Sequence, residues 1–282
     1  MYWERVTEEI FVFTSERYAL VNAVAFLTQS GVVVIDGLPF PDEARTIARF
    51  LEAQGGGRFS TIFLTHYHMD HVYGLHAFPP HLDVISSRRC REMLLEVGER
   101  SLEEARRHDP QFEEVTLRIP TITFEEALTV ETPDKHFRLM PLPGHTPDNI
   151  GIFYEEERIL VAGDAMMAIP IIADGDWREE IETLQRIKKL APETIIQGHG
   201  EVVLRGEVQH VIDRYIAYLE CIEGEARKVL RKGQPRESIR DIPLERCGLE
   251  RVPLGIASHA LHTANILRIY DTLKEEAEGT AE

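Results

Sequence analysis

Phe59-Ser60-Thr61-Ile62-Phe63-Leu64-Thr65-His66-Tyr67-His68-Met69-Asp70-His71 is the stretch on which the reading of this chain turns. The run Phe59–Thr65 is short, apolar and β-branched in part, the composition of a buried strand. Four ligand-type side chains, His66, His68, Asp70 and His71, follow at once. His66 and His68 are two apart, so at an extended strand end they face the same side. Asp70 and His71 come once the chain has begun to turn and can face a second position. Imidazole and carboxylate together suit zinc and other divalent first-row metals.

Three further ligand-type residues have the same setting. His145 stands in Pro143-Gly144-His145-Thr146-Pro147 after an expected strand at Phe137–Leu142. Asp164 follows Ala162-Gly163 after Arg158–Val161, and His199 lies between Gly198 and Gly200 after Thr194–Gln197. Glycine beside each lets the backbone bend and approach closely. Strand ends of this kind are where active sites of layered α/β folds collect.

Around these points the chain alternates. Strands are expected at Ile10–Thr14, Ala19–Thr28 and Gly31–Ile35, then a helix from Pro41 to Gln54 that stops at Gly55-Gly56-Gly57. Arg88–Arg107 reads as a charged helix over one edge of the core, inside an insert at about 86–118. Strands resume at Thr121–Phe124, Leu128–Glu131, Phe137–Leu142, Ile150–Tyr154 and Arg158–Ala162, with a helix from Trp177 to Leu190 capped by Asp174 or Asp176. Strands then a helix, twice over, imply two similar halves with sheets inside and helices outside. Past Gly200 the period becomes helical: Glu207–Lys232, a short helix from Pro235, and Ala257–Lys274, with an acidic, frayed tail from Glu275. Residues 1–205 are therefore expected to form the catalytic unit and 206–282 a helical extension packed on it.

Composition narrows the function. With 43% hydrophobic residues the 282-residue chain can bury a core, yet no apolar stretch is long enough to span a membrane. The balance of 31 basic against 48 acidic residues, −17 net, opposes non-specific binding to nucleic acid and leaves a small molecule as the expected partner. Cys90, Cys221 and Cys247 are odd in number, widely spaced and without a CxxC, which points to unpaired thiols in a reducing compartment. Met1-Tyr2-Trp3-Glu4-Arg5 lacks the start of a secretory signal, so the expected location is the cytoplasm.

The motifs HxHxDH at 66–71, Gly144-His145-Thr146, Gly163-Asp164 and Gly198-His199-Gly200 resemble the metallo-β-lactamase superfamily, as does Val33-Val34-Ile35-Asp36-Gly37. The likeness implies an α/β fold, a four-layer αββα sandwich with metals at one edge between the sheets. It implies a cofactor of two divalent ions, zinc first, with iron or manganese as alternatives. His66, His68 and His145 would hold one ion, Asp70, His71 and His199 the other, and Asp164 would bridge them. Asp36 would orient ligands without binding metal. A hydroxide shared by the ions would cleave an ester, thioester, lactone or related bond, with Asp70 orienting it or taking its proton.

Within that superfamily the β-lactamases carry Cys or Ser at the position of Asp164, which points away from lactams. Glyoxalase II and the lactonases share the seven-ligand set. A different chemistry, persulfide oxidation, uses one iron held by two histidines and an aspartate, and a metal-binding protein without turnover is a third reading. Tyr67, Met166, Met167 and Trp177 are candidates to line a pocket. His259 and His262 read as a solvent-facing pair on the last helix.

Overall fold

The computed structural model describes residues 1–56, 58–172, 174–250 and 257–279. Seven strands form one sheet in chain order: β1 (Tyr2–Arg5), β2 (Ile10–Thr14), β3 (Asn22–Thr28), β4 (Gly31–Ile35), β5 (Phe59–Phe63), β6 (Val84–Ser87) and β7 (Ile122–Phe124). Five more form the second, also in order: β8 (Leu128–Glu131), β9 (His136–Pro141), β10 (Ile150–Tyr154), β11 (Ile159–Val161) and β12 (Thr194–Ile196). Strands β4 to β7 are mutually parallel, as are β11 and β12; the other neighbours pair antiparallel.

The period of two along each strand explains the layering. Ile10 and Val12 on β2, and Val33 and Ile35 on β4, face the second sheet and meet Phe137, Leu139, Ile150 and Ile152. Their neighbours Phe11, Phe13, Val32 and Val34 face the other way, onto Ile47, Ala48 and Leu51 of α1 (Pro41–Leu51). The outer face of the second sheet is covered by α5 (Trp177–Leu190), α6 (Val208–Arg231) and α7 (Ala257–Gly279), through Leu184, Ile187, Ile212, Leu219, Ile266 and Ile269. Three apolar layers therefore separate helix, sheet, sheet and helix. Because both faces of β2 and β4 are buried, they read as continuous apolar runs. This is the expected αββα sandwich. Asp176, one of the two caps foreseen, accepts from the backbone N–H of Arg178 and Glu179 at the start of α5.

Several local expectations are corrected. The strand after Thr14 starts at Asn22, because Ala19 and Leu20 take left-handed backbone, with φ of 45° and 53°. The insert follows an unforeseen strand, β6, whose buried sequence Val84-Ile85-Ser86-Ser87 is too short and too polar to show a period. It continues as α3 (Arg88–Met93), a π-helical turn (Leu94–Gly98) and α4 (Glu99–His108). Helix α7 runs past Glu275 to Gly279. Cys221 on α6 and Cys247 form a disulfide, so two of the three thiols are not free, and only Cys90 remains as a buried thiol. Among the described residues no helix is long and apolar enough to cross a membrane.

Candidate metal centre

Parallel pairing sets the first part of the site. Ile35 lies beside Phe63, so the chain leaving β4 at Asp36 runs next to the chain leaving β5 at Leu64 and Thr65. Asp36 turns sharply, at φ 60°, and its carboxylate accepts from Thr65 N (2.8 Å) and Thr65 Oγ1 (2.7 Å). The backbone is extended at His68 and then enters the one-turn helix α2 (Met69–Val72), which carries Asp70 and His71. That turn is what sends the first two histidines and the next two ligands to different places. Close approach fixes the 3-10 turn that follows α2: a Cβ on Gly74 would sit 1.9 Å from the carbonyl oxygen of Gly37.

The second sheet supplies the rest. Asp164 follows β11 on a short 3-10 turn, and its N–H donates to Asn149 Oδ1 at 3.1 Å. Gly163, at φ 54°, and Gly198 both stand where a side chain has no room; a Cβ on Gly198 would lie 1.9 Å from Asp164 Oδ1. The Asn22 side chain donates to the carbonyls of Gln197 (2.9 Å) and Gly200 (2.8 Å), which clamps the turn bearing His199.

All seven sequence-derived candidates are brought together. The ligand atoms of His66, His68, His145 and Asp164 lie within 4.8 Å of one another, as do those of Asp70, His71 and His199. Asp164 touches both groups: Oδ2 is 3.3 Å from His145 Nε2 and 3.4 Å from His199 Nε2, and Oδ1 is 3.3 Å from His71 Nε2. Asp70 Oδ2 is 3.2 Å from His199 Nε2.

The protons on the imidazoles follow from their outer partners. A carbonyl oxygen only accepts, so His145 Nδ1 donates to Ile171 O (2.6 Å) and His199 Nδ1 to Ala19 O (2.9 Å). His71 Nδ1 donates to Asp36 Oδ2 at 2.8 Å. Thr65 gives its own proton to Asp36, so its oxygen accepts from His66 Nδ1 at 3.0 Å. His68 faces outward through Nε2, 3.4 Å from Asp174 Oδ2. In every ring one nitrogen is tied to an acceptor and the other points at the centre. His68 Nδ1 then faces Nε2 of both His66 and His145 at 3.1 Å, lone pair against lone pair. His71 Nε2 and Asp164 Oδ1 are both buried and face each other at 3.3 Å. Three imidazole lone pairs gathered this closely with no donor between them are costly unless a cation sits among them. The donor set thus fits metal, and the tied outer nitrogens are the usual supports of metal-binding histidines.

Charge is unevenly spread. Burial pushes His145 down to about 4 and His66 well below the ordinary histidine range, so both are neutral near pH 7. His71 and His199 are also buried, but Asp164 and Asp70 overcome that and raise His71 well up and His199 to about 10. Burial would raise Asp70, yet His71 and His199 hold it at about 2.

The remaining expectations divide. Asp36 is placed as foreseen, against both Thr65 and His71. Tyr67 stands at the rim, its hydroxyl donating to Asp174. Met166, Met167 and Trp177 are buried in the body of the protein, and none lines the cleft at His68. His262 is buried, its Nδ1 3.1 Å from the hydroxyl of Tyr218, and is not half of a solvent-facing pair.

Other contributors were not foreseen. Tyr18 lies close enough to Asp70 for that charge to push its phenol up to about 12, which keeps it protonated beside the site. Glu180 is fully buried, which raises its carboxyl well up, and it accepts from the backbone N–H of His145. Asn265 on α7 accepts from Ile172 N (3.0 Å) and donates to Pro170 O (2.6 Å), so it grips both sides of the carbonyl that orients His145. Single polar residues in apolar settings carry no period or motif, though Asn22, Asn149 and Asn265 were visible as uncharged polar residues within core-facing runs.

Comparison with known proteins agrees with this geometry. Residues 19–199 match the family described as the metallo-beta-lactamase superfamily. A beta-lactamase-like protein 2 homolog of Caenorhabditis elegans is 26% identical over 71% of this chain and 62% of its own. A probable metallo-hydrolase of Bacillus subtilis, YflN, is 27% identical over 66% of this chain and 77% of its own. The chain thus spans less than two thirds of the first of these relatives. Among solved structures, a metallo-beta-lactamase family protein of Thermus thermophilus superposes with a TM-score of 0.70 at 18% identity, covering 97% of this chain and 95% of its own. Sheet order, the converging side chains and the extent of the match lead to one conclusion: this chain belongs to the metallo-β-lactamase superfamily.

Proposed function

We propose that the protein is a metal-dependent hydrolase of a small molecule, acting on an ester, thioester, lactone or related bond. His66, His68 and His145 hold one divalent ion, Asp70, His71 and His199 a second, and Asp164 serves both. The observation that carries this reading is that five imidazoles each have one nitrogen tied outward and the other turned to the same small volume. When bound, such ions polarise the bond to be cut and supply a nucleophile at neutral pH.

The chain's own groups have distinct tasks. Asp36, Ile171 O, Ala19 O and Asp174 each hold one ring nitrogen, so the rings are already turned toward the centre before metal binds. Asp70, ionised beside His199, can accept a proton from an attacking water or orient it. Tyr18 keeps its proton under the charge of Asp70. Zinc is the leading metal, because imidazole and carboxylate at low coordination suit it. The full set of seven side chains favours two ions over the single iron of persulfide oxidation.

The test is metal analysis of the purified chain combined with a panel: a phosphodiester, a thioester, acyl-homoserine lactones and a chromogenic β-lactam. Two ions per chain and turnover of a carbonyl substrate are expected. One iron per chain, or no hydrolysis with zinc, manganese or iron supplied, overturns the reading.

A further inference from the structure

Two cavities lie near the centre, and they differ in kind. The larger, of about 410 Å³, sits against α6 and is lined by Glu201, Glu207, His210 and Arg214, with none of the seven proposed ligands in its wall. The other, of about 240 Å³, includes His68 itself. Tyr67 and Asp174, joined by a hydrogen bond, line it together with Ser101, and Met69, Tyr73, Leu94 and Leu117 form its apolar walls. The insert after β6 makes the far side: Leu94 and Gly98 belong to the π-helical turn, a device that widens a helix locally and often marks a functional site.

Chemistry selects the occupant. Neither lysine nor arginine lines this cleft, and Asp174 adds a carboxylate to its lining, so an anionic group would meet repulsion from the side chains around it. The lining between these polar groups is mostly apolar, and the release of water from it favours hydrocarbon. The volume exceeds the ~150 Å³ that admits benzene to an apolar cavity, and at ~30 Å³ per methylene-sized group it holds on the order of eight. His68 ties cleft and metal centre into one continuous site.

The geometry points to this cleft as an acyl-chain subsite: the substrate is a neutral ester, thioester or lactone with an apolar acyl chain of medium length, its carbonyl next to His68. The inference rests on the hydrolase reading, but it also requires binding that does not depend on turnover.

Two measurements separate the claims. With zinc-loaded chain, kcat/KM for p-nitrophenyl esters rises from acetate to octanoate by about fourfold per methylene, the worth of a buried CH₂. With metal-free chain, octanamide binds in isothermal titration, and Ser101→Trp and Leu117→Trp, which fill the cleft, each weaken that binding at least tenfold. The same variants lower the octanoate-to-acetate ratio of kcat/KM. Thermal unfolding of both shows which is folded, and either one suffices. A flat chain-length profile in active enzyme, absent octanamide binding, or equal binding by wild type and a folded variant overturns the subsite. Octanamide binding that the variants abolish, with no ester hydrolysed under any metal, upholds the subsite and removes the hydrolase.

Discussion

Asn265→Ala is the most informative single change, because it acts on a metal ligand from the far end of the chain. The asparagine is fully buried on α7 and makes three contacts: it accepts from Ile172 N, and donates to Pro170 O and to Tyr218 Oη at 3.2 Å. Between the first two lies Ile171, whose carbonyl receives the Nδ1 proton of His145. Truncation leaves a buried N–H and a buried C=O without partners, at about 1–3 kcal/mol each. With partial relaxation the expected loss of stability is about 2–4 kcal/mol, read from denaturant unfolding. The carbonyl is also freed to move, and loss of such an outer partner typically weakens metal binding about 10–100-fold.

Tyr218→Phe is the control. It removes the third contact and the bond to His262, yet leaves the grip on Pro170 and Ile172 intact. It should cost about 1 kcal/mol and leave metal affinity near wild type. Affinity is measured by chelator competition on folded protein, well below each variant's midpoint. If Asn265→Ala binds zinc as tightly as wild type, or if Tyr218→Phe loses as much affinity as Asn265→Ala, the coupling from α7 to His145 is wrong.

The other outcomes can be stated briefly. His66→Ala and Asp70→Ala should each abolish turnover and lower the metal content found by mass spectrometry; an active Asp70→Ala would contradict its proposed role. Gly198→Ala places a methyl 1.9 Å from Asp164 Oδ1 and should displace that carboxylate, giving a folded chain by circular dichroism with reduced metal content. The Cys221–Cys247 bond closes a loop across a separation of 26 residues, so its reduction should cost about 3.5 kcal/mol in guanidinium unfolding with and without dithiothreitol. An unchanged midpoint would show that the bond does not form in solution.

The layered fold and the seven converging side chains were legible because both depend on local patterns. A short, largely apolar strand followed at once by ligand residues announces itself over about ten positions, as at Phe59–His71. What supports those ligands was not legible. Asn22 reaches Gly200 across 178 positions and Asn265 reaches Ile172 across 93, and nothing beside either residue marks the partner. His262 read as half of an exposed pair because His259 is its neighbour on the helix. Its real setting depends on Tyr218, 44 positions away. Cys221 and Cys247 failed as a pair for the same reason: their meeting is set by how α6 packs, not by spacing. Strand β6 escaped because two of its four residues are serine, and both are buried by contacts made elsewhere: Ser86 donates to Leu64 O and Ser87 to Asp148 O.

Charge at the centre leads to a final prediction about pH. Asp36, Asp70 and Asp164 are buried together, and without metal the positive charge that balances them resides on His71 and His199. His199, raised to about 10 from its ordinary 6.5, contributes stability that is fully present below about 6.5 and disappears as pH rises through about 10; His71, also raised, acts in the same sense. The metal-free protein should therefore lose stability on going from about pH 6.5 to about 10, at up to about 1.4 kcal/mol per pH unit for each proton released. His145, lowered to about 4, and Asp70, at about 2, do not titrate in that window and cannot mask the trend. Metal binding needs neutral imidazoles, so it expels the same protons, and the metal-loaded chain should be nearly flat over the range. Urea unfolding at about pH 6.5, 8 and 9.5, with chelator and with zinc, measures the difference directly. Parallel curves for the two forms would mean that His71 and His199 do not carry the compensating charge, and the division between a neutral group of imidazoles and a protonated pair would have to be abandoned.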